Sequence, residues 1–148
     1  MKGINRTVRA GALTVNQAIT WLSGFPLRTR VAYGLPLDHD MHHYGTHRLL
    51  HQKQVDVLLW VSSFAPEPPP ASHDDDVPAI VLGHAQTPLD PRSAPTVFIP
   101  VATPGLDHAS HLFRIDTSVV APLHAARETT LPSVASIVNE LIQRGRWS

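Results

Sequence analysis

The chain has 148 residues, 43% of them hydrophobic and 16% charged, with twelve Lys plus Arg balanced by twelve Asp plus Glu. That length makes one domain with a proper core, and a net charge of zero gives no field to draw nucleic acid or an anionic membrane. The absence of cysteine excludes an iron–sulfur cluster, a thiolate zinc site and a disulfide, and withholds any Cys ligand from molybdenum or tungsten.

The charged share falls below the ~25% of an average soluble domain. Either part of the surface is covered by another protein, or a GC-rich codon bias has favoured Ala, Pro and Arg, leaving only two lysines. A balanced charge also makes a free monomer prone to associate. The N-terminus, Met1 to Arg6, lacks the apolar core of a signal peptide. No apolar run approaches the ~20 residues needed to cross a bilayer. The expected location is cytoplasmic, with neither membrane nor nucleic acid as partner.

Residues 1–10, with Lys2, Arg6 and Arg9, read as a polar N-terminal arm, and residues 11–148 as a single α/β domain. From Gly11 to Ser23 the pattern is helical: Val15, Ala18, Ile19 and Leu22 form one stripe, Gly24 supplies the left-handed stop, and Pro26 forbids continuation. Thr29 to Tyr33 reads as a short strand closed by Gly34 and Pro36. A polar loop over Asp38–Gly45 follows. Thr46 is then placed to cap a helix running to about Gln54, with Leu49 and Leu50 facing inward.

Val55 to Ser62 is nearly continuous apolar sequence, the signature of a strand buried on both faces of a parallel sheet. Residues 63–78 contain Pro66, Pro68, Pro69, Pro70 and Pro78 around His73-Asp74-Asp75-Asp76, which predicts an exposed, proline-rich insert. Ala79–Gly83 and Thr96–Val101 are two further strands, the second ended by Pro100. After Pro104-Gly105, His111 to Asp116 alternates polar with apolar like a surface strand, and Val119 to Leu123 is extended. A last helix starts near Pro132, with Val134, Ile137, Val138, Leu141 and Ile142 as its stripe and Arg144 and Arg146 near its end. This order predicts an α/β fold, a mostly parallel sheet flanked by helices. Some strand connections are too short or irregular for helical crossovers, so either loops replace the helices or some strands pair antiparallel.

Ten histidines make metal chemistry the obvious candidate, because His39, His43, His47 and His51 recur every four residues with Asp38 and Asp40 beside them. Gly45-Thr46 looks like a helix start, however, which guarantees a shared face only to His47 and His51. No Glu lies between these two to act as the base of a metalloprotease, so solvated histidines are the better reading. His73 to Asp76 lacks the glycine and distal carboxylate of a calcium loop. No serine elbow, dinucleotide fingerprint or Walker sequence is present. Arg114 and Asp116 share a strand face and form a structural ion pair or orient a partner.

Several segments together resemble one family. They are Asn16-Gln17-Ala18-Ile19-Thr20-Trp21-Leu22-Ser23-Gly24-Phe25-Pro26, Val55-Asp56-Val57-Leu58-Leu59-Trp60, Phe98-Ile99-Pro100-Val101-Ala102-Thr103-Pro104-Gly105-Leu106-Asp107, Phe113-Arg114-Ile115-Asp116 and Leu131-Pro132-Ser133. Their order is similar to the C-terminal part of the B subunit of formylmethanofuran dehydrogenase, a molybdopterin or tungstopterin oxidoreductase. It is most similar to the branch found in the bacterial formyltransferase/hydrolase complex. The resemblance implies a Rossmann-like domain of the molybdopterin oxidoreductases and a place in one-carbon metabolism. There, formyl groups pass to methanofuran or methylofuran and leave as formate during formaldehyde oxidation in methylotrophs.

In that family the iron–sulfur cluster and the Cys or selenocysteine metal ligand belong to regions upstream of the matched part, and this chain has no cysteine. Ser62-Ser63-Phe64-Ala65-Pro66 and the proline-rich insert stand where the redox enzymes approach the pterin. No catalytic, cofactor-binding or metal-binding residue is therefore carried over, and no cofactor is expected. The expectation is a non-catalytic structural subunit held in a hetero-oligomer by the other subunits of such a complex. Two alternatives remain open. One is a residual module gripping a pterin or furan cofactor through Arg28, Arg30, Arg92 and Arg114. The other is a metal-dependent hydrolase built on His39, His43, His47 and His51.

Overall fold

The computed structural model describes residues 2–4, 12–70, 76–113 and 120–145. Along the chain these form β1 (Lys2–Ile4), α1 (Ala12–Ser23), β2 (Thr29–Val31), β3 (Asp38–His39), α2 (Thr46–His51), β4 (Leu58–Ser62), β5 (Ala79–Gly83), β6 (Thr96–Pro100), β7 (Ser110–Phe113), β8 (Val120–Leu123) and α3 (Val134–Arg144). The architecture is mixed α/β, a three-stranded parallel sheet with flanking helices, as the sequence predicts.

Five consecutive apolar residues, Ala-Ile-Val-Leu-Gly, make β5 the natural centre of that sheet. It pairs in parallel with β4 on one side, Trp60 opposite Val81, and with β6 on the other, Val81 opposite Phe98. Val81 and Leu82 are 0% exposed. One face gathers Trp60, Ala79 and Val81 into a core, with Leu58 and Phe98 packed against it. The proline-rich insert closes onto this face: the Trp60 indole N–H donates to the Glu67 carbonyl at 3.2 Å, and Ser62 Oγ donates to the Ala65 carbonyl at 2.9 Å. The insert expected to stand free is thus tied down at its start, and Val77 at its end is buried. His73, Asp74 and Asp75 lie outside the described residues.

Among the described residues neither parallel crossover, 63–70 with 76–78 or 84–95, contains a helix, so of the two ways to make the short links the chain replaces helices with loops there. The antiparallel pairings lie elsewhere. Lys2–Ile4, expected as part of a polar arm, pairs with β2, which pairs in turn with β3 inside the loop expected to be irregular. β7 and β8 form a hairpin with Ser110 opposite Leu123. Arg114 and Asp116 lie outside the described residues, as does Arg146.

Three expectations need correction. β4 is not buried on both faces: Leu59 is 53% exposed, and Val57 and Val61 on the same side are open too. An edge strand has a neighbour on one side only, and composition does not reveal edge position. Thr46 does not cap α2. The N-cap is Gly45, without a side-chain cap, and Thr46 Oγ1 is buried with no partner. Leu49 and Leu50 do face inward. Finally, the apolar stripes of α1 and α3 are covered only in part, with Ala18, Ile19, Val134 and Ile137 half-buried and the rest open. Leu22 is 88% exposed, and α3 has no buried residue even though Ser133 caps it by accepting from Ser136 N–H at 3.1 Å. Among the described residues no helix is long and apolar enough to cross a membrane.

The burial contrast within the sheet gives a stability test. Leu82→Ala empties a fully enclosed position and should cost about 2–5 kcal/mol, whereas Leu59→Ala at the half-exposed edge should cost about 1 kcal/mol or less. Urea denaturation of the two variants checks the ordering.

Candidate functional site

The four-residue histidine ladder does not assemble. His47 and His51 lie exposed on α2, while His39 and His43 belong to β3 and the turn after it. His39 stacks on Phe25 at a centroid distance of 6.2 Å, and His43 meets Tyr44 edge-on at 5.2 Å. Asp40, between His39 and His43 in the chain, is occupied: its carboxylate accepts from the His42 and His43 backbone N–H groups at 2.8 and 2.6 Å. These two bonds, that from His43 foremost, hold its carboxyl below the usual range. Asp38 accepts from the Tyr44 hydroxyl at 2.5 Å, which raises the phenol, and faces Arg30 at 3.5 Å. Among the described residues, no group of three or more His, Asp or Glu is placed to hold a metal ion.

The arginines considered for an anion are likewise engaged within the fold. Arg28 Nη1 donates to the Met41 carbonyl at 2.5 Å, Arg30 pairs with Asp38, and Arg92 Nη2 donates to the Val77 carbonyl at 3.1 Å. Arg114 lies outside the described residues.

A different group converges just beyond the carboxyl ends of β5 and β6, where ligands settle in open parallel sheets. After Pro100 the chain turns through Thr103–His108. Gly105 adopts φ +76, its N–H donating to the His108 carbonyl at 2.8 Å. Asp107 folds back into this turn, its Oδ2 accepting from Thr103 N–H at 2.7 Å, while its Oδ1 accepts from Arg127 Nε. Backbone bonds from Ala126 and Arg127 N–H to the Leu106 carbonyl, at 2.8 and 3.0 Å, register the second segment against the first. The Asp107 side chain is almost wholly enclosed, whereas that of Arg127 is 57% exposed. The Arg127 guanidinium, and after it the Thr103 amide, holds the Asp107 carboxyl down at about 2.

Above this pair opens a crevice of about 230 Å³. His84, Gln86 and Arg127 give it polar groups, while Val101, Leu106 and Leu131 give it apolar walls. His84 follows β5 directly, and its Nδ1 accepts from Gln86 N–H at 3.1 Å. In the sequence Asp107 stands out only as the last residue of a family-like segment, and Arg127 and His84 carry no signal of their own. The Pro104-Gly105 turn was the one available signal, because a tight turn after a buried strand needs an acceptor for its unpaired amides.

One substitution probes this turn, and a second, in the segment between β2 and β3, is its control. Gly105→Ala would need a left-handed alanine whose Cβ lies 2.8 Å from Leu123 Cδ1 and 3.0 Å from Leu123 Cβ. It should cost about 2 kcal/mol or more. Gly34→Ala, at φ +73 but with nothing within 4 Å, should cost only the conformational part, about 1 kcal/mol. Asp107 gives a pH signature. Its folded value of about 2 lies below the ordinary 3.8. Its contribution is therefore complete above the ordinary value and disappears as pH falls from 3.8 through about 2. Melting temperature measured across that window should fall for the native chain, and Asp107→Asn should remove this part of the fall.

No family model matches the chain, and no curated protein matches it. Among solved structures, the chain is similar to one chain in the crystal structure of the formyltransferase/hydrolase complex from Methylorubrum extorquens in complex with methylofuran. The TM-score is 0.71 at 20% sequence identity, covering 90% of this chain and 38% of that one. The chain thus spans less than half the length of the structure it matches, and at this identity the two share a fold.

Proposed function

We propose that this chain is a non-catalytic structural subunit of an assembly of the formyltransferase/hydrolase type, acting in formaldehyde oxidation through one-carbon metabolism. The observation that carries this reading is the shared fold over 90% of the chain, combined with apolar surfaces that the chain does not cover itself. On the sheet, Leu59 and Val97 face the same side through their common neighbour Ile80, and each is more than half exposed. On α3, Leu141 and Ile142 are open as well. Interfaces that stay assembled are rich in such side chains and poor in charge, in keeping with a chain that is only 16% charged.

The sequence also supports the non-catalytic half of the proposal. A subunit without thiolates has no Cys ligand to offer molybdenum or tungsten and cannot bind an iron–sulfur cluster through cysteine. Two of the carboxylates that could serve hydrolysis are engaged by backbone N–H groups, Asp40 in a loop and Asp107 in a turn. The partners in this reading are the subunits that transfer and hydrolyse the formyl group, and the exposed row of the sheet is where one of them would dock.

Co-expression with formyltransferase/hydrolase subunits tests the proposal. The native chain should co-purify with them, and Leu59→Asp with Val97→Asp should lower recovery by roughly tenfold or more. Because both positions are solvent-facing, the double variant alone should keep the native circular-dichroism spectrum. A native chain that remains alone after co-expression, or recovery unchanged by the two aspartates, would overturn the reading.

A further inference from the structure

We infer that the crevice beyond the carboxyl ends of β5 and β6 binds a small organic carboxylate with a short apolar body, held by the terminal nitrogens of Arg127. The inference is independent of the subunit role, because it concerns a site that no interface needs to complete.

The first argument is the state of the guanidinium. Asp107 engages Arg127 at Nε, and among the described residues Asp107 is its one ion-pair partner. The side chain is 57% exposed beside the crevice it lines. An arginine anchored at Nε by an enclosed carboxylate presents its two terminal amino groups in a fixed plane, the geometry that receives a carboxylate with two parallel hydrogen bonds. Asp107 is the positioning residue here. Both its oxygens are already bonded, one to Arg127 and one to Thr103 N–H, so it offers an incoming cation little.

The second argument is the polarity of the rest of the lining. His84 Nδ1 accepts from Gln86 N–H, so the proton of the neutral ring sits on Nε2, which is a donor. The Asp107 carboxylate also lines the crevice, but its oxygens are engaged by Arg127 and Thr103 N–H, so the donors of Arg127 and His84 are what is left for a ligand, and these select an anion. Val101, Leu106 and Leu131 supply apolar wall, which a short alkyl chain can cover and an inorganic anion cannot. At about 230 Å³ the space is smaller than the usual pocket for a drug-sized ligand, and suits a body of a few carbons.

The test is a titration of the full-length chain, followed by amide NMR shifts and calorimetry, with propionate, butyrate, propionamide and inorganic phosphate as probes. Propionate and butyrate should shift the His84, Gln86 and Thr103 amides saturably, and butyrate should bind more tightly. The neutral propionamide should bind at least tenfold more weakly for want of charge, and phosphate likewise for want of an alkyl body to cover the apolar wall. Arg127→Gln should weaken propionate by about tenfold or more, with Arg127→Lys in between. Should Arg127→Gln disturb the fold, Gln86→Glu places a like charge at an exposed position of the same lining, and should weaken propionate several-fold without altering the melting temperature. Equal binding of propionamide or phosphate, propionate affinity unchanged by Gln86→Glu or by a folded Arg127→Gln, or no saturable shift would each overturn the inference.

Discussion

The pairing of β5 on both its edges is the constraint from which the rest of the molecule follows. A central parallel strand must satisfy its backbone on two sides and bury its side chains on two faces. Ala79–Gly83 meets both demands: its ladder runs to Leu58–Ser62 and Thr96–Pro100, and Val81 and Leu82 are fully enclosed. Gly83 shows how close the packing becomes at the end of the strand. A Cβ there would lie 2.9 Å from Thr87 Oγ1 and 3.1 Å from Phe98 Cε2. That close packing brings His84 and Thr103 to the same rim. The crevice exists because two parallel strands end side by side.

Just past that rim the backbone needs acceptors, and Asp107 supplies one. The Asp107–Arg127 pair joins an enclosed carboxylate to a guanidinium with one side in water, so the pair avoids the full desolvation of both charges. Its structural effect is to fasten the stretch after β8 to the turn after β6, with the two amide bonds to the Leu106 carbonyl acting in parallel. A ligand at the exposed side of Arg127 would use a group that the fold has already oriented. Structure and binding are then two consequences of one ion pair.

The sequence made some of this legible and hid the rest for identifiable reasons. The apolar run at 79–83 and the stop at Gly24, found at φ +76, could be read directly, because each depends on local composition. The Val55–Ser62 run looked the same as a buried strand, yet it lies at the sheet edge. Its exposure depends on which strand pairs beside it and on what covers its outer face, which no local window contains. The stripe of α3 was legible as a period, whereas what it faces is a matter of tertiary packing. The histidine spacing pointed to a shared face only if one helix ran through Gly45, and the helix begins there instead. Asp107 and Arg127 are 20 residues apart with β7 and β8 between them, so nothing in either segment announces the other.

The open sheet face has its own cause in the sequence. Parallel strands are usually joined by helices, and those helices are what cover the faces. Here neither connection can form one. Pro66, Pro68, Pro69 and Pro70 interrupt the first, and Pro88, Pro91 and Pro95 the second. The first loop folds back on Trp60 and so protects the core side, but the side bearing Leu59, Val61 and Val97 receives no crossover helix. These side chains are apolar even though the chain's own connections leave them about half exposed. On the proposed reading that is the expected state of a subunit surface, since a face covered by a partner keeps the composition of a core while its own loops are free to shorten and stiffen.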